Sequence, residues 1–451
     1  MDGRMIPRAA EAPAELTLPK DTSIALASLL NPEIMGRRLA ACADPAYPAP
    51  RDLVTEYVRY RPDEACTVVY RSADTDGQRS RVRCYAHAMA EHRYARVAGR
   101  LAQRAWIPGP LGSTPCALDD LHTIVYTFPN DARLPGVGSF FAGRADDARM
   151  LRSDDAGASG DSQTAPVEVL RWKPESRCIL RVRQDHAPGD LDEASDTVCL
   201  RFERPDRMGS QQSHIQRLTH TLRAHDEIAV PDSLGVFPDR GMTVQSWIEG
   251  DRLVNLLKSA DSGTAAHKTG QILAHWHNLP TGGFPARRNI DARERAQTIT
   301  AELVRFGLMT HGESIELVSE VHRLCQDTSP SVPVLLHGDF HPGQLLFGIH
   351  RAWVLDFHGA CTGDCAVDVG NFIAQLLWLE ARDRVHEGAR VRTEFLSGYR
   401  TVRWAVVQER VAVWTGIGLL ELALKNARRL RTSWADDAVH LLHLAESAIR
   451  G

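Results

Sequence analysis

The segment His337-Gly338-Asp339-Phe340-His341-Pro342-Gly343-Gln344, with Val354-Leu355-Asp356-Phe357 shortly after it, gathers an acid, an amide and a second acid. These residue types suit phosphoryl transfer. That reaction leaves a protein little covalent work and needs a base near an acceptor hydroxyl, oxygen ligands for Mg²⁺ and a cation on the phosphates. Asp339 suits the base. Gln344 offers a neutral hard oxygen, and Asp356 suits the main metal ligand, because Mg²⁺ takes one or two carboxylates and leaves its remaining positions to phosphate and water.

The elements around these residues must bring them together. Val332, Val334, Leu335 and Leu336 precede the first acid, and Ala352, Trp353, Val354 and Leu355 precede the second. Each acid is therefore expected where a short buried strand ends, so that both carboxylates can face one pocket.

On these residues the chain resembles the aminoglycoside phosphotransferase and choline kinase family, a branch of the protein-kinase-like fold. The family pattern His-Gly-Asp, four residues, Asn, then Asp-Phe or Asp-Trp is matched at His337, Gly338, Asp339 and Asp356. Its downstream Gly-Asp-Pro-x-x-Asp is matched by Gly363-Asp364-Cys365-Ala366-Val367-Asp368, and the resemblance runs from about Val167 to the C-terminus. Gln344 stands where most of the family has Asn, a variant shared with maltokinase-like members. The resemblance implies an α+β, two-lobed fold with a small antiparallel-sheet lobe and a helical large lobe. It also implies ATP and Mg²⁺ as cofactors, with His337 and Asp364 bracing the catalytic loop. Thr243 to Gly250 is similar to the last small-lobe strand running into the hinge, which brings Gln245 and Trp247 to the adenine.

The small lobe departs from the family pattern. Arg201, in Thr197-Val198-Cys199-Leu200-Arg201-Phe202-Glu203, takes the place of the phosphate-holding Lys, and its bidentate fork differs from a lysine's point charge. The helix expected over Ser210 to Ala224 contains no Glu to orient that cation. No glycine-rich phosphate loop is present; Trp172-Lys173-Pro174-Glu175-Ser176-Arg177-Cys178 is the available turn, where backbone amides around Ser176, with Lys173 or Arg177 nearby, are expected to hold phosphate.

The same turn exposes an internal repeat. Glu56 to Arg71 reads against Glu168 to Arg183, with Glu, Arg, an aromatic, a base, Pro, an acid and Cys recurring at one offset (168 − 56 = 112; 178 − 66 = 112). A repeat of this kind signals a repeated structural unit. A degenerate small-lobe-like α+β cap is thus expected ahead of the kinase fold, packing on it or shaping the acceptor cleft. Phe128 to Pro135, with two Pro and an Asn, reads as an ordered turn under that sheet.

The organisation that follows is a cap over 1–150, a Gly/Ser/Asp-rich flexible linker over 151–165, a small lobe over 166–248 and a large lobe over 249–451. A long turn is expected from His186 to Asp196. At 451 residues the chain exceeds what one core comfortably serves. A net charge of −4 without a long basic run argues against nucleic acid as a partner. No stretch reads as a membrane span or secretory leader, so a cytoplasmic location is expected. Nine cysteines make an odd count without paired spacing; several, such as Cys84, Cys178 and Cys199, read as small core residues, and Cys361 and Cys365 lack the further ligands a zinc site needs.

The expected activity is ATP-dependent, Mg²⁺-assisted transfer of the γ-phosphate to a hydroxyl of a small molecule of aminoglycoside, sugar or amino alcohol type. Two alternatives stand beside it. One is a pseudokinase or scaffold; the other is a kinase for peptide Ser/Thr in natural-product maturation, with the N-terminal sheet holding the peptide by its edge.

Overall fold

The computed structural model describes residues 18–19, 21, 24–47, 50, 52–72, 82–143, 167–183, 197–208, 211–223, 225–286, 291–326, 332–349, 351–403 and 408–450. The linker expected over 151–165 and the turn expected from His186 to Asp196 lie outside the described residues. No helix among the described residues is long and apolar enough to cross a membrane.

Two five-stranded antiparallel sheets dominate the first half. The N-terminal sheet comprises β1 (Leu53–Arg61), β2 (Ala65–Ser72), β3 (Arg83–Met89), β4 (Cys116–Leu118) and β5 (Thr123–Thr127), ordered β1-β2-β3-β5-β4. The next strands are β6 (Val167–Lys173), β7 (Arg177–Arg183), β8 (Thr197–Glu203), β9 (Ile228–Ala229), β10 (Ser233–Phe237) and β11 (Met242–Ser246). All but β9 form the second sheet, ordered β6-β7-β8-β11-β10, the same path as the first. The likeness reaches individual turns. Arg61 pairs with Ala65 across a turn where Asp63 is left-handed (φ 57°), and Lys173 pairs with Arg177 across one where Glu175 is left-handed (φ 61°). At the far end, left-handed His122 leads from β4 to β5 as left-handed Gly241 leads from β10 to β11. His87 lies opposite Thr67 as Arg201 lies opposite Ile179, so His87 holds the register position of Arg201.

The sheets stack and share one core. Val69, Tyr85, Ile124 and Tyr126 of the first pack with Trp172, Leu180, Leu200 and Phe202 of the second. Tyr85 meets the edge of Trp172 at 5.3 Å between ring centroids. Asp131, in the turn after β5, accepts hydrogen bonds from Trp172 Nε1 (3.1 Å) and from the Glu175 amide (3.0 Å), which ties that turn to the β6–β7 turn. The opposite face of the N-terminal sheet, with Tyr60, Val68, Tyr70 and Ala86, joins the core of the helical half. Tyr60 stacks edge-on against Phe306 and donates its amide to the Arg428 carbonyl (2.8 Å). With both faces covered, β3 is buried from Cys84 to Met89, which explains its near-continuous small and apolar sequence.

The remainder is helical, with helices Ser262–His277, Ala292–Arg305, His311–Gln326, Ala366–Glu380, Gly388–Val402, Gln408–Ala427 and Trp434–Arg450. Two of them touch backbone to backbone. A Cβ on Gly270 would lie 2.0 Å from the Phe395 oxygen, and one on Gly398 1.9 Å from the His267 oxygen, so only glycine permits this crossing. Set among the helices are β12 (Asp251–Arg252), β13 (Val334–Leu336), β14 (Leu345–Phe347), β15 (Ala352–Val354) and β16 (Cys361–Gly363). β14 and β15 form a hairpin, while β13 pairs with β16. The protein is thus an α+β, two-lobed structure preceded by a small-lobe-like sheet.

Candidate active site

The candidate catalytic loop leaves β13 and the second acid follows β15, so two short buried strands aim both segments at one place. Gly338 has φ 86°, and a Cβ there would meet the Gly359 oxygen at 2.9 Å; the loop can take this path only with glycine. His337 is fully buried. Its Nδ1 accepts from the Asp339 amide (3.3 Å) and its Nε2 lies 2.9 Å from the Leu355 carbonyl, which fixes the proton on Nε2 and ties the loop to the residue before Asp356. Asn371 adds a bond from Nδ2 to the Phe340 carbonyl (2.9 Å).

The carboxylate that holds the loop amides is Asp368. It accepts from the amides of His337 (2.6 Å) and Gly338 (3.0 Å) and lies 3.3 Å from His277 Nε2, while the Tyr399 hydroxyl lies 2.7 Å from His277 Nδ1. Asp364, the residue expected to brace the loop, pairs instead with Arg410 and accepts from the Ala366 amide (3.0 Å). The reason is helix phase. Asp364 precedes the helix Ala366–Glu380, whereas Asp368 lies in its first turn, where a carboxylate is favoured and can point back at the loop.

Asp356, left-handed at φ 58°, sits in a charge network. Its oxygens meet Arg201 (2.8 Å) and Arg177 (2.7 Å), and the Gln344 amide lies 3.3 Å away. Glu203 completes the network with contacts to Arg201 (2.6 Å) and to Arg177 (3.3 Å). Burial pushes the Asp356 carboxyl up, but Arg201 and Arg177 outweigh it and hold the group well below the usual carboxylate range. The acid missing from the following helix is thus matched by Glu203 on the same strand as Arg201, two residues on and therefore on the same sheet face. His358 is buried against Phe357, with the two rings 5.4 Å apart.

The other expected contacts spread more widely. Lys173 is half-buried at the end of β6, and burial, followed by Arg171 and Arg177, lowers its ammonium to about 7. Ser176 lines a separate polar cavity of about 300 Å³ with His87, Arg93 and Arg133 of the N-terminal half. Gln245 is buried on β11, and Trp247 donates its amide to the Thr197 carbonyl (3.2 Å) while its ring lies 4.6 Å from the Arg181 guanidinium.

Asp339 itself is exposed, with His341 Nε2 3.9 Å away. Burial is the main cause that lowers His341 to about 4, so a neutral ring faces the acid near neutral pH. Asp339 opens on a cleft of about 370 Å³ lined by Asn371, Gln375 and Lys425 of the helices, by Arg429 in the turn after Ala427 and, from β1, by Tyr57 and Arg59. Sequence reasoning missed Glu203, Asp368, Lys425 and Arg429. Of these, Glu203 was open to it through strand alternation.

Residues 190–409 match the model of the phosphotransferase enzyme family. This segment is similar to members of that family. The phosphotransferase match takes in the catalytic loop, Asp356 and both candidate loop braces. No curated protein matches the chain in sequence. Among solved structures, a choline/ethanolamine kinase family protein from Mesorhizobium loti is 14% identical (TM-score 0.47), with 68% of this chain and 95% of that chain covered. An ethanolamine kinase from Plasmodium vivax is 12% identical (TM-score 0.46), covering 64% and 83%. A thermostable mutant of the aminoglycoside phosphotransferase APH(4)-Ia is 15% identical (TM-score 0.45), covering 64% and 95%.

Proposed function

We propose that the protein transfers the γ-phosphate of ATP to a hydroxyl of a small molecule, assisted by Mg²⁺. The observation that carries this reading is the junction of two loops, which brings Gln344 beside Asp356 and leaves Asp339 open to the adjoining cleft. Asp339 accepts the proton of the acceptor hydroxyl as the oxygen attacks; its exposure leaves room for that oxygen. His341 stays neutral beside it and so does not compete as a cation. Lys173 and Arg201 bind the phosphates, and the backbone of the hinge around Gln245 and Trp247 receives the adenine.

The donor set suits Mg²⁺. Asp356 supplies carboxylate oxygen and is held ionised, as a hard cation requires, while Gln344, whose Nε2 faces Asp356, would offer its amide oxygen after the amide turns over. When bound there, the ion neutralises charge on the phosphates. Arg177 and Arg201 already touch the same carboxylate, so they position it and share its charge. His337 and Asp368 hold the loop so that Asp339 and Gln344 keep their places.

Thermal stabilisation by ATP with and without Mg²⁺, on the wild type and on Asp356→Ala, tests the reading, followed by ATP consumption over a panel of hydroxyl acceptors. We expect Mg²⁺-dependent stabilisation that Asp356→Ala abolishes. Asp339→Asn is expected to keep nucleotide binding while turnover falls by roughly 10²–10⁴-fold. Nucleotide binding indifferent to Mg²⁺, with no turnover, would point to the scaffold reading.

A further inference from the structure

The charges around Asp339 do not balance. Of the acids in its cleft, Glu421 is held by Arg295 (2.6 Å) and Glu302 by Arg428 (2.9 Å). That leaves Asp339 facing Lys425 and Arg429, one turn apart on the helix Gln408–Ala427 and its end. Among the described residues, neither cation has a carboxylate within ion-pair distance, and Asp339 and Glu421 draw on Lys425 from farther off. Arg429 lies over the ring of Tyr57 at 4.3 Å, so β1 of the N-terminal sheet fixes its position at the cleft wall. Arg59, also from β1, reaches the same cleft. Confinement by surrounding protein lowers the Lys425 ammonium despite the pull of Asp339, with Arg429 and Arg171 adding to the effect. Arg59 is answered by Glu175 (3.6 Å), so Lys425 and Arg429 are the like-charged pair without a close carboxylate, and such a pair suits a site that an anion completes.

We propose that the acceptor is a hydroxyl compound with a negative charge of its own, a phosphate or carboxylate held by Lys425 and Arg429 while the hydroxyl faces Asp339. The inference rests on the phosphotransferase reading and narrows it. The cleft volume of about 370 Å³ suits a molecule of monosaccharide size. In the transfer, the bond from the γ-phosphorus to the bridging oxygen of ATP breaks and a bond to the acceptor oxygen forms. The acceptor proton passes to Asp339, and ADP leaves. The same cations repel a polyamine or quaternary ammonium acceptor, so selection acts through repulsion as well as attraction.

The test uses the full chain with Mg²⁺ and ATP and follows ADP release with sugar phosphates, sugar acids, neutral sugars, an aminoglycoside and choline. Turnover is expected with the anionic sugars; the phosphate and carboxylate arms identify which anion fits. Lys425→Gln and Arg429→Gln should each raise KM for the anionic acceptor by roughly 10–100-fold, with KM for ATP nearly unchanged. Lys425→Arg should restore much of the loss. Preference for neutral or cationic acceptors overturns the inference and leaves the kinase reading intact. A rise in KM for ATP instead overturns it too, because the cations then serve the nucleotide. If no acceptor is consumed, calorimetric titration of the same compounds into the enzyme with Mg²⁺ and ADP decides, and binding that ignores acceptor charge overturns the inference. Absence of any Mg²⁺-dependent ATP effect defeats the underlying kinase reading separately.

Discussion

Replacing Asp368 by Asn tests how the catalytic loop is held. The carboxylate is fully buried and takes two loop amides, at 2.6 and 3.0 Å, together with His277 at 3.3 Å. Asn is nearly isosteric, but its NH₂ must face at least one of these donors. The change removes a charge-assisted hydrogen bond, worth about 1.5–3 kcal/mol, and leaves a buried donor unsatisfied at about 1–3 kcal/mol. A loss of about 3–5 kcal/mol follows, or roughly 6–20 °C in Tm if the large lobe melts as one unit. Burial favours protonation of Asp368, but the bonds from His277 and the loop amide prevail and lower its pKa. Its stabilising contribution is therefore present above the unfolded carboxyl pKa and lost as pH falls through the lower folded value. Asp364→Asn, which disturbs a partly exposed pair with Arg410, should cost about 1 kcal/mol or less. Urea unfolding and ATP turnover on both variants give the comparison. If Asp364→Asn proves the more damaging, or Asp368→Asn keeps wild-type stability and turnover, the account of the loop is wrong.

Three further outcomes are expected. Trp172→Ala empties a site between the two sheets where the ring is 2% exposed, and should cost about 3–5 kcal/mol in chemical denaturation; a loss under about 1 kcal/mol would mean the sheets do not share a core. Lys173, lowered to about 7, loses its charge as pH rises through that value, so KM for ATP should climb there and Lys173→Arg should flatten the profile; identical profiles would remove Lys173 from the phosphate site. Burial raises Asp131 to about 6 from 3.8, so its contribution to stability is full below the lower value and fades as pH rises through the higher. Asp131→Asn should remove that slope, worth up to about 3 kcal/mol, as read from urea midpoints across this range.

The catalytic loop was legible because its residues are contiguous in sequence and bounded by apolar runs that can only be short strands. The helical character of the large lobe was legible through the family resemblance. Which of Asp364 and Asp368 grips the loop was not legible, since both fit one motif and only the helix phase separates them. Glu203 was overlooked because its partner was sought on the next helix, although alternation along β8 already set it beside Arg201. The cleft cations were out of reach of any local pattern. Tyr57 and Arg429 come from opposite ends of the chain and meet only because the N-terminal sheet docks on the helical half.

The stacked sheets have a consequence for how the protein can be taken apart. The back of the second sheet is covered by a sheet of the same strand order in the same chain, an arrangement equivalent to an obligate dimer whose two halves have been joined. A dimer of that kind dissociates on dilution, but a tether keeps the partner at a fixed effective concentration. Melting should accordingly be independent of protein concentration. The family-matched segment cut out alone would lose β6 and β7 together with the covering sheet and would present Leu200 and Phe202 of β8 to water with no partner, an apolar face of the kind that drives association. The smallest unit that keeps this face covered therefore begins well before the matched segment.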